Sequence, residues 1–252
     1  MKKILNKKTL RISFFTLGLV VILSFSIFFI WSQDTLEAID ANQIEIEDAV
    51  QAEDGWYIYR AANADKGLIL YPGAKVEPEA YAYLAQELSK QNITVAIPSV
   101  RLNLAILDVS KADEIIEKED SLEWYISGHS MGGAAAAMYA DQHLDSINGL
   151  ILLGAYAASN DHLKESNLPV LSISGSEDGL STPIKIDENS SNLPEKTEFI
   201  EIPGGNHAYF GVYGSQSGDN EAQLTVSEQQ EIIIELIVDW LQNTVPSGQG
   251  SS

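Results

Sequence analysis

Residues 124–142 read WYISGHSMGGAAAAMYADQ. Trp124-Tyr125-Ile126-Ser127 has the aromatic and β-branched character of a buried strand. From Gly132 onward alanine dominates, which favours a helix. Between the two stands Gly128-His129-Ser130-Met131-Gly132, a G-x-S-x-G pattern. Alone, five such residues are common by chance. Between a strand and a helix they describe a tight, strained turn that lifts a serine hydroxyl above the end of a sheet. Side chains at the flanking positions would collide in that turn, hence the glycines. Gly133, Ala134 and Ala135 let the helix pack close to the strand. The plainer reading of the same residues is a glycine-rich turn in which Ser130 caps the helix.

On both sides of the turn, strand and helix patterns alternate. Gly67–Tyr71 is a short apolar run closed by Pro72-Gly73, the pattern of a buried strand. Pro78 suits the first position of a helix, where its missing N–H costs nothing. Tyr81, Leu84, Ala85 and Leu88 then share one face. Ile93–Ile97, Leu150–Leu153, Val170–Ser174 and Thr197–Ile202 read as further strands. Ser110 with Asp113 reads as a capping pair before Ile115 and Ile116, and Ser227 with Gln230 as the cap of a last helix. Ile233, Leu236, Ile237, Trp240 and Leu241 form that helix's core face. The fold class expected is α/β: a mainly parallel central sheet flanked by helices, with chemistry at the carboxyl ends of the strands.

Gly-His-Ser-Met-Gly-Gly at 128–133 resembles the α/β-hydrolase superfamily, and the likeness covers residues 66–242. Within it, Tyr71-Pro72-Gly73-Ala74-Lys75-Val76 and Gly204-Gly205-Asn206-His207 resemble a compact bacterial group sometimes called the fold-5 family. Dienelactone hydrolases are more distant relatives by shape. The resemblance implies a fold and hydrolase chemistry. It implies no particular substrate.

In that fold the chain order is Ser, then Asp or Glu, then His. A serine hydroxyl is a poor nucleophile until a base takes its proton. Of the four histidines, His129 sits inside the turn and reads as a packing residue. His143 falls at a helix end, where a cation complements the dipole. His162 precedes the strand that leads to the acid. His207 follows the last strand on a glycine loop and is the base expected. The acid expected is Asp178 in Gly175-Ser176-Glu177-Asp178-Gly179, with Glu177 as the alternative; turn chemistry is the plainer reading of either. The backbone N–H of Met131 is one expected oxyanion donor. The other comes from the loop after Tyr71: Ala74, or alternatively Lys75, because Tyr-Pro-Gly-Ala stands where many relatives carry His-Gly.

Charge divides the chain. The net charge is −21, yet the first 33 residues hold Lys2, Lys3, Lys7, Lys8 and Arg11 and no acid. Beyond them stand 10 basic against 36 acidic residues. Phosphate binding needs a basic face, so no nucleic-acid partner is expected. Cysteine is absent, which excludes disulfides, thiolate metal sites and a thiol nucleophile. Residues 14–31 are uncharged and apolar, about the minimum that spans a bilayer as a helix. Cations before them favour a cytoplasmic N-terminus. Bulky Phe28-Phe29-Ile30-Trp31 argues for an uncleaved anchor over a cleaved signal peptide, with secretion after cleavage as the alternative. The layout expected is a basic cytoplasmic segment (1–13), a transmembrane anchor (14–31), an acidic spacer (32–54), a catalytic domain (55–244) outside the cytoplasm and a loose tail (245–252).

Residues 153–169 are too few for a lid, so a shallow, open site is expected. Small esters, acyl groups on cell-surface polymers and lactones are the candidate substrates. Loops 102–107 and 208–213 either line an acyl pocket or pack on the core. No cofactor or metal is called for. The leading reading is an ester hydrolase; acyl transfer by the same three residues and a non-catalytic membrane-anchored binding protein are the others.

Overall fold

The computed structural model describes residues 7–39 and 54–244. The expected tail at 245–252, most of the spacer (40–53) and the first residues of the basic segment lie outside the described residues. Helix α1 (Lys7–Ser32) comes first. Its stretch Ser13–Ser32 has a mean hydropathy of 2.4 and is long and apolar enough to cross a membrane. Seven strands follow: β1 (Trp56–Tyr59), β2 (Lys66–Tyr71), β3 (Ile93–Pro98), β4 (Glu123–His129), β5 (Leu150–Leu153), β6 (Val170–Gly175) and β7 (Glu198–Ile202). Helices α2 (Ala82–Lys90), α3 (Ala112–Lys118), α4 (Met131–Gln142), α5 (Pro183–Asn189) and α6 (Val226–Asn243) alternate with them.

The strands form one sheet in the order β1-β3-β2-β4-β5-β6-β7. Only β1, at the edge, is antiparallel. Side chains alternate across the sheet with the period of two that pleating imposes. Leu68, Leu70, Val95, Ile97, Ile151 and Leu153 face α2 and α6. Ile69, Tyr71, Ala96, Ile126, Leu150 and Leu152 face α3 and α4. Each such Leu or Ile stabilises the fold by roughly 1.5–3 kcal/mol. Being covered on both faces is why these strands read as continuous apolar runs.

Two helix starts differ from the sequence expectation. Thr225, not Ser227, caps α6: its hydroxyl accepts the Glu228 N–H while the Glu228 carboxylate accepts the Thr225 N–H. The capping box therefore lies two residues earlier. Ser110 caps nothing; α3 grows directly out of a 3₁₀ turn, Val109–Lys111.

The chain after α1 does not stand off from the domain. Leu36 bridges in parallel to Val76. Its N–H donates to the Lys75 carbonyl at 2.6 Å, and its carbonyl accepts the Glu77 N–H at 3.1 Å. The Ile39 N–H reaches the Val212 carbonyl at 3.0 Å. The near end of the expected spacer is thus a strap on the loops that follow β2 and β7. Between β5 and β6 runs a short connection with a single 3₁₀ turn, Leu163–Glu165, and no inserted lid.

Candidate active site

β4 runs into α4 through a turn whose central residue, Ser130, has φ 54° and ψ −121°. A serine there is strained. The Ser130 N–H donates to the Leu153 carbonyl at 3.0 Å, which fixes the turn to β5. The Ser130 side chain makes no capping bond to α4, so the plain reading of a capping serine is not what the structure has. Glycine is required at two neighbours by close approach. A Cβ on Gly128 would meet the Gly132 carbonyl at 2.2 Å, and one on Gly132 would meet the Tyr71 and Pro72 carbonyl oxygens at 2.2 and 2.4 Å. That second contact seats the start of α4 against the end of β2, where the loop 72–76 begins.

In that loop the Lys75 N–H is spent on the Asn103 carbonyl at 2.8 Å. The N–H groups of Ala74 and Met131 donate to no acceptor among the described residues. Of the two donors weighed for this loop, Ala74 is therefore the one with its hydrogen available. The loop is held from below: the Gly73 N–H donates to the Tyr81 hydroxyl at 2.9 Å.

His207 and Asp178 meet in the interior. His207 Nδ1 donates to Asp178 Oδ2 at 2.8 Å, and both side chains are fully buried. The other carboxylate oxygen, Oδ1, accepts the N–H groups of Leu180 (2.8 Å) and Ser181 (2.6 Å). All three bonds are made to the acceptor oxygens of the carboxylate. With Nδ1 turned to the carboxylate, Nε2 is the ring nitrogen left to take up a proton. That nitrogen is buried and has no hydrogen-bond partner, so no bond joins it to Ser130 Oγ in this state. Glu177 is not the partner of His207; its carboxylate accepts from Gln223 at 2.7 Å instead.

The remaining histidines separate by environment. His143 stacks on Tyr139 with ring centroids 4.1 Å apart, and His162 is exposed beside Asp141. His129 is more than packing. Its ring lies 4.5 Å from that of His207, and its Nδ1 is 2.9 Å from the Tyr81 hydroxyl. Burial first, then the neighbouring His207, pushes its pKa well below 6.5, so it stays neutral.

A family model described as the alpha/beta hydrolase family matches residues 67–231, from β2 into α6. The chain belongs to the alpha/beta hydrolase family. No curated protein matches it in sequence. Solved structures resemble this hydrolase in fold. Est1E of Butyrivibrio proteoclasticus, with ferulic acid bound, is 13% identical with a TM-score of 0.59, over 75% of this chain and 95% of that one. A monoacylglycerol lipase of Paleococcus ferrophilus is 14% identical with a TM-score of 0.58, over 73% and 98%. A dienelactone hydrolase of Anabaena variabilis is 15% identical with a TM-score of 0.59, over 78% and 97%.

Sequence reading missed the residues that hold this hydrolase's candidate base and acid in place. Asp219 accepts the N–H groups of His207 (3.2 Å), Ala208 (2.8 Å) and Gly179 (3.0 Å), joining the two loops. Gln229, fully buried on α6, exchanges two bonds with the Asn206 backbone. Gln230 donates to the Tyr209 carbonyl. Two buried amides on an otherwise apolar helix face were the one available signal. A cavity of about 640 Å³, lined by Pro169, Pro194 and Trp240, lies at the amino ends of β6 and β7, away from these residues. Of the loops weighed as an acyl pocket, Leu104, Ala105, Phe210, Val212 and Tyr213 are buried in the core, whereas Ile106 and Leu107 are exposed.

Proposed function

We propose that the protein is a serine hydrolase that cleaves a carboxylic ester, or a related acyl or lactone bond, through Ser130, His207 and Asp178. The observation that carries this reading is the buried His207–Asp178 bond at 2.8 Å, which leaves Nε2 bare at the end of the sheet where Ser130 sits in a strained turn. In the first step Ser130 Oγ attacks the carbonyl carbon and its proton passes to His207 Nε2. Catalytic hydrogen bonds of this kind are often long without substrate and tighten when it binds. The Asp178 carboxylate holds the tautomer and stabilises the imidazolium. The Met131 and Ala74 N–H groups receive the oxyanion, whose loss of one donor typically costs about a hundredfold or more. His207 then protonates the leaving alcohol, leaving an acyl-enzyme. Water, deprotonated by the same nitrogen, releases the acid. Esterase and lipase names among the structural neighbours support the ester class.

Helix α1 anchors the chain in this reading, with the cations before and within its first turns on the cytoplasmic side and the domain across the membrane. Two assays test the proposal. Purified protein should hydrolyse p-nitrophenyl acetate, and Ser130→Ala should lose on the order of a millionfold in turnover with His207→Ala adding little more. Additive losses would contradict a shared mechanism. Protease applied to intact cells should remove the domain; a protected domain would refute the orientation.

A further inference from the structure

We propose that the face carrying Ser130 lies on the membrane surface and that the ester it cleaves is carried by a lipid resident in that membrane. The inference rests on the ester-hydrolase reading and the α1 anchor argued above, and adds where the substrate comes from.

The first support is the absence of slack between anchor and site. Ser32, the last residue of α1, is fully buried against the domain. Its carbonyl accepts from Asn103 Nδ2 at 2.9 Å. Asn103 also accepts the Lys75 N–H through its own carbonyl at 2.8 Å, and Lys75 follows the oxyanion donor Ala74. Lys75 Nζ stands 4.7 Å from the centre of the Trp31 ring. One residue, Asn103, therefore touches both the end of the membrane helix and the loop that receives the oxyanion. The chain beyond Ser32 adds no reach. Thr35 Oγ1 donates to Glu77 at 2.7 Å, and Leu36 and Ile39 are bonded to Lys75, Glu77 and Val212. Six free residues would extend about 20 Å; here they lie along the domain.

Depth follows from length. The 20 residues Ser13–Ser32 rise about 30 Å as a helix, the thickness of the hydrocarbon core. Trp31 then falls at the interface, where tryptophan prefers to sit. The loops after β2 and β3 lie at the same depth, and both leave carboxyl ends of strands, as the elbow after β4 does.

The surface there is suited to lipid. Ile106 and Leu107 are adjacent, 43% and 45% exposed, and project from the Asn103 loop, which Leu104 and Ala105 root in the core. Exposed apolar side chains beside a membrane helix gain by entering the acyl boundary. A site held this close to the bilayer meets lipid esters by lateral diffusion.

The test uses the full chain in phosphatidylcholine vesicles. With no native cysteine, Leu107→Cys and Glu195→Cys each accept one nitrobenzoxadiazole label. Glu195 lines the cavity at the amino ends of the strands. Nitroxide lipids should quench the label at 107 strongly and the label at 195 little; equal, weak quenching at both would overturn the placement. In parallel, an Ile106→Asp/Leu107→Asp variant should hydrolyse p-nitrophenyl acetate within twofold of wild type, yet lose at least tenfold on methylumbelliferyl oleate dissolved in the vesicles. Wild-type hydrolysis of the acetate with none of the vesicle-borne oleate would point to a water-borne substrate and overturn the lipid source; equal rates for variant and wild type on that oleate would overturn the part given to Ile106 and Leu107. Wild-type failure on both esters would remove the hydrolase reading itself, and the lipid source with it, while quenching still decides the placement.

Discussion

The Tyr81 hydroxyl is 2.9 Å from His129 Nδ1, and the two side chains are buried together. The same oxygen accepts the Gly73 N–H at 2.9 Å, so its own hydrogen goes to the imidazole. One hydroxyl thus links the elbow, through the residue before Ser130, to the loop that offers Ala74. Burial raises the Tyr81 pKa, so it remains a neutral donor.

Tyr81→Phe should leave the Gly73 N–H and His129 Nδ1 buried without partners. A buried polar group left unpaired costs about 1–3 kcal/mol. Urea denaturation should show that loss, and kcat should fall with KM little changed, because the loop proposed to hold the oxyanion loosens. An unchanged midpoint and kcat would remove the link.

His129 gives stability a defined pH slope. Its folded pKa lies well below the unfolded value of 6.5, so below that pH the unfolded chain binds a proton that the folded chain does not. Its contribution is complete above pH 6.5 and is lost as pH falls from there toward the folded pKa, by up to about 1.4 kcal/mol per pH unit. Denaturation at pH 7 and pH 5 should show a shallower decline in His129→Asn than in wild type. Equal slopes would contradict the neutral, buried imidazole.

Asp178→Asn should keep the fold and lose turnover. The amide cannot hold the Nδ1–H tautomer while serving Leu180 and Ser181, and a comparable change in a serine protease costs about ten-thousandfold in kcat. Circular dichroism and ester hydrolysis measured together check this. A loss of tenfold or less would transfer the role elsewhere.

Ser130→Gly should stabilise the protein while abolishing activity. A non-glycine residue at φ 54° costs about 1–3 kcal/mol, offset by about 0.5–1 kcal/mol of glycine's extra unfolded-chain entropy. The net gain expected is about 1 kcal/mol in denaturant titration. Ser130→Ala should show no such gain, because alanine keeps the strain.

What the sequence displayed was what is local. Buried parallel strands are continuous apolar runs, so β2 through β6 are legible to within two residues at each end; β7, EFIEI and mostly exposed, is legible by its aromatic and β-branched residues, and G-x-S-x-G between strand and helix marks the turn. The edge strand Trp56–Tyr59 was not read, because four aromatic and β-branched residues after an acidic stretch set no period. Chain order points to Asp178 and His207 as the candidate acid and base, and the structure brings the two side chains together. The groups that hold them are not legible: Asp219 sits in a polar stretch, GSQSGDNEAQ, that reads only as loop, and its partners Gly179, His207 and Ala208 lie 11 to 40 positions away. Tyr81 looked like one more core residue because its hydroxyl's partners, Gly73 and His129, are eight and 48 positions away. The strap at 36–39 reads as spacer in the sequence for the same reason, since its pairing with Lys75 and Val212 depends on the folded domain.

Adduct mapping with a fluorophosphonate probe tests the central claim most directly. The full chain, His207→Ala and Asp178→Asn are each treated, digested and analysed by mass spectrometry. A single phosphonate on Ser130 in the wild type, lost in His207→Ala and slowed in Asp178→Asn, is the expected result. A folded wild type that takes no probe, or one labelled at Ser130 equally fast without His207, would contradict it.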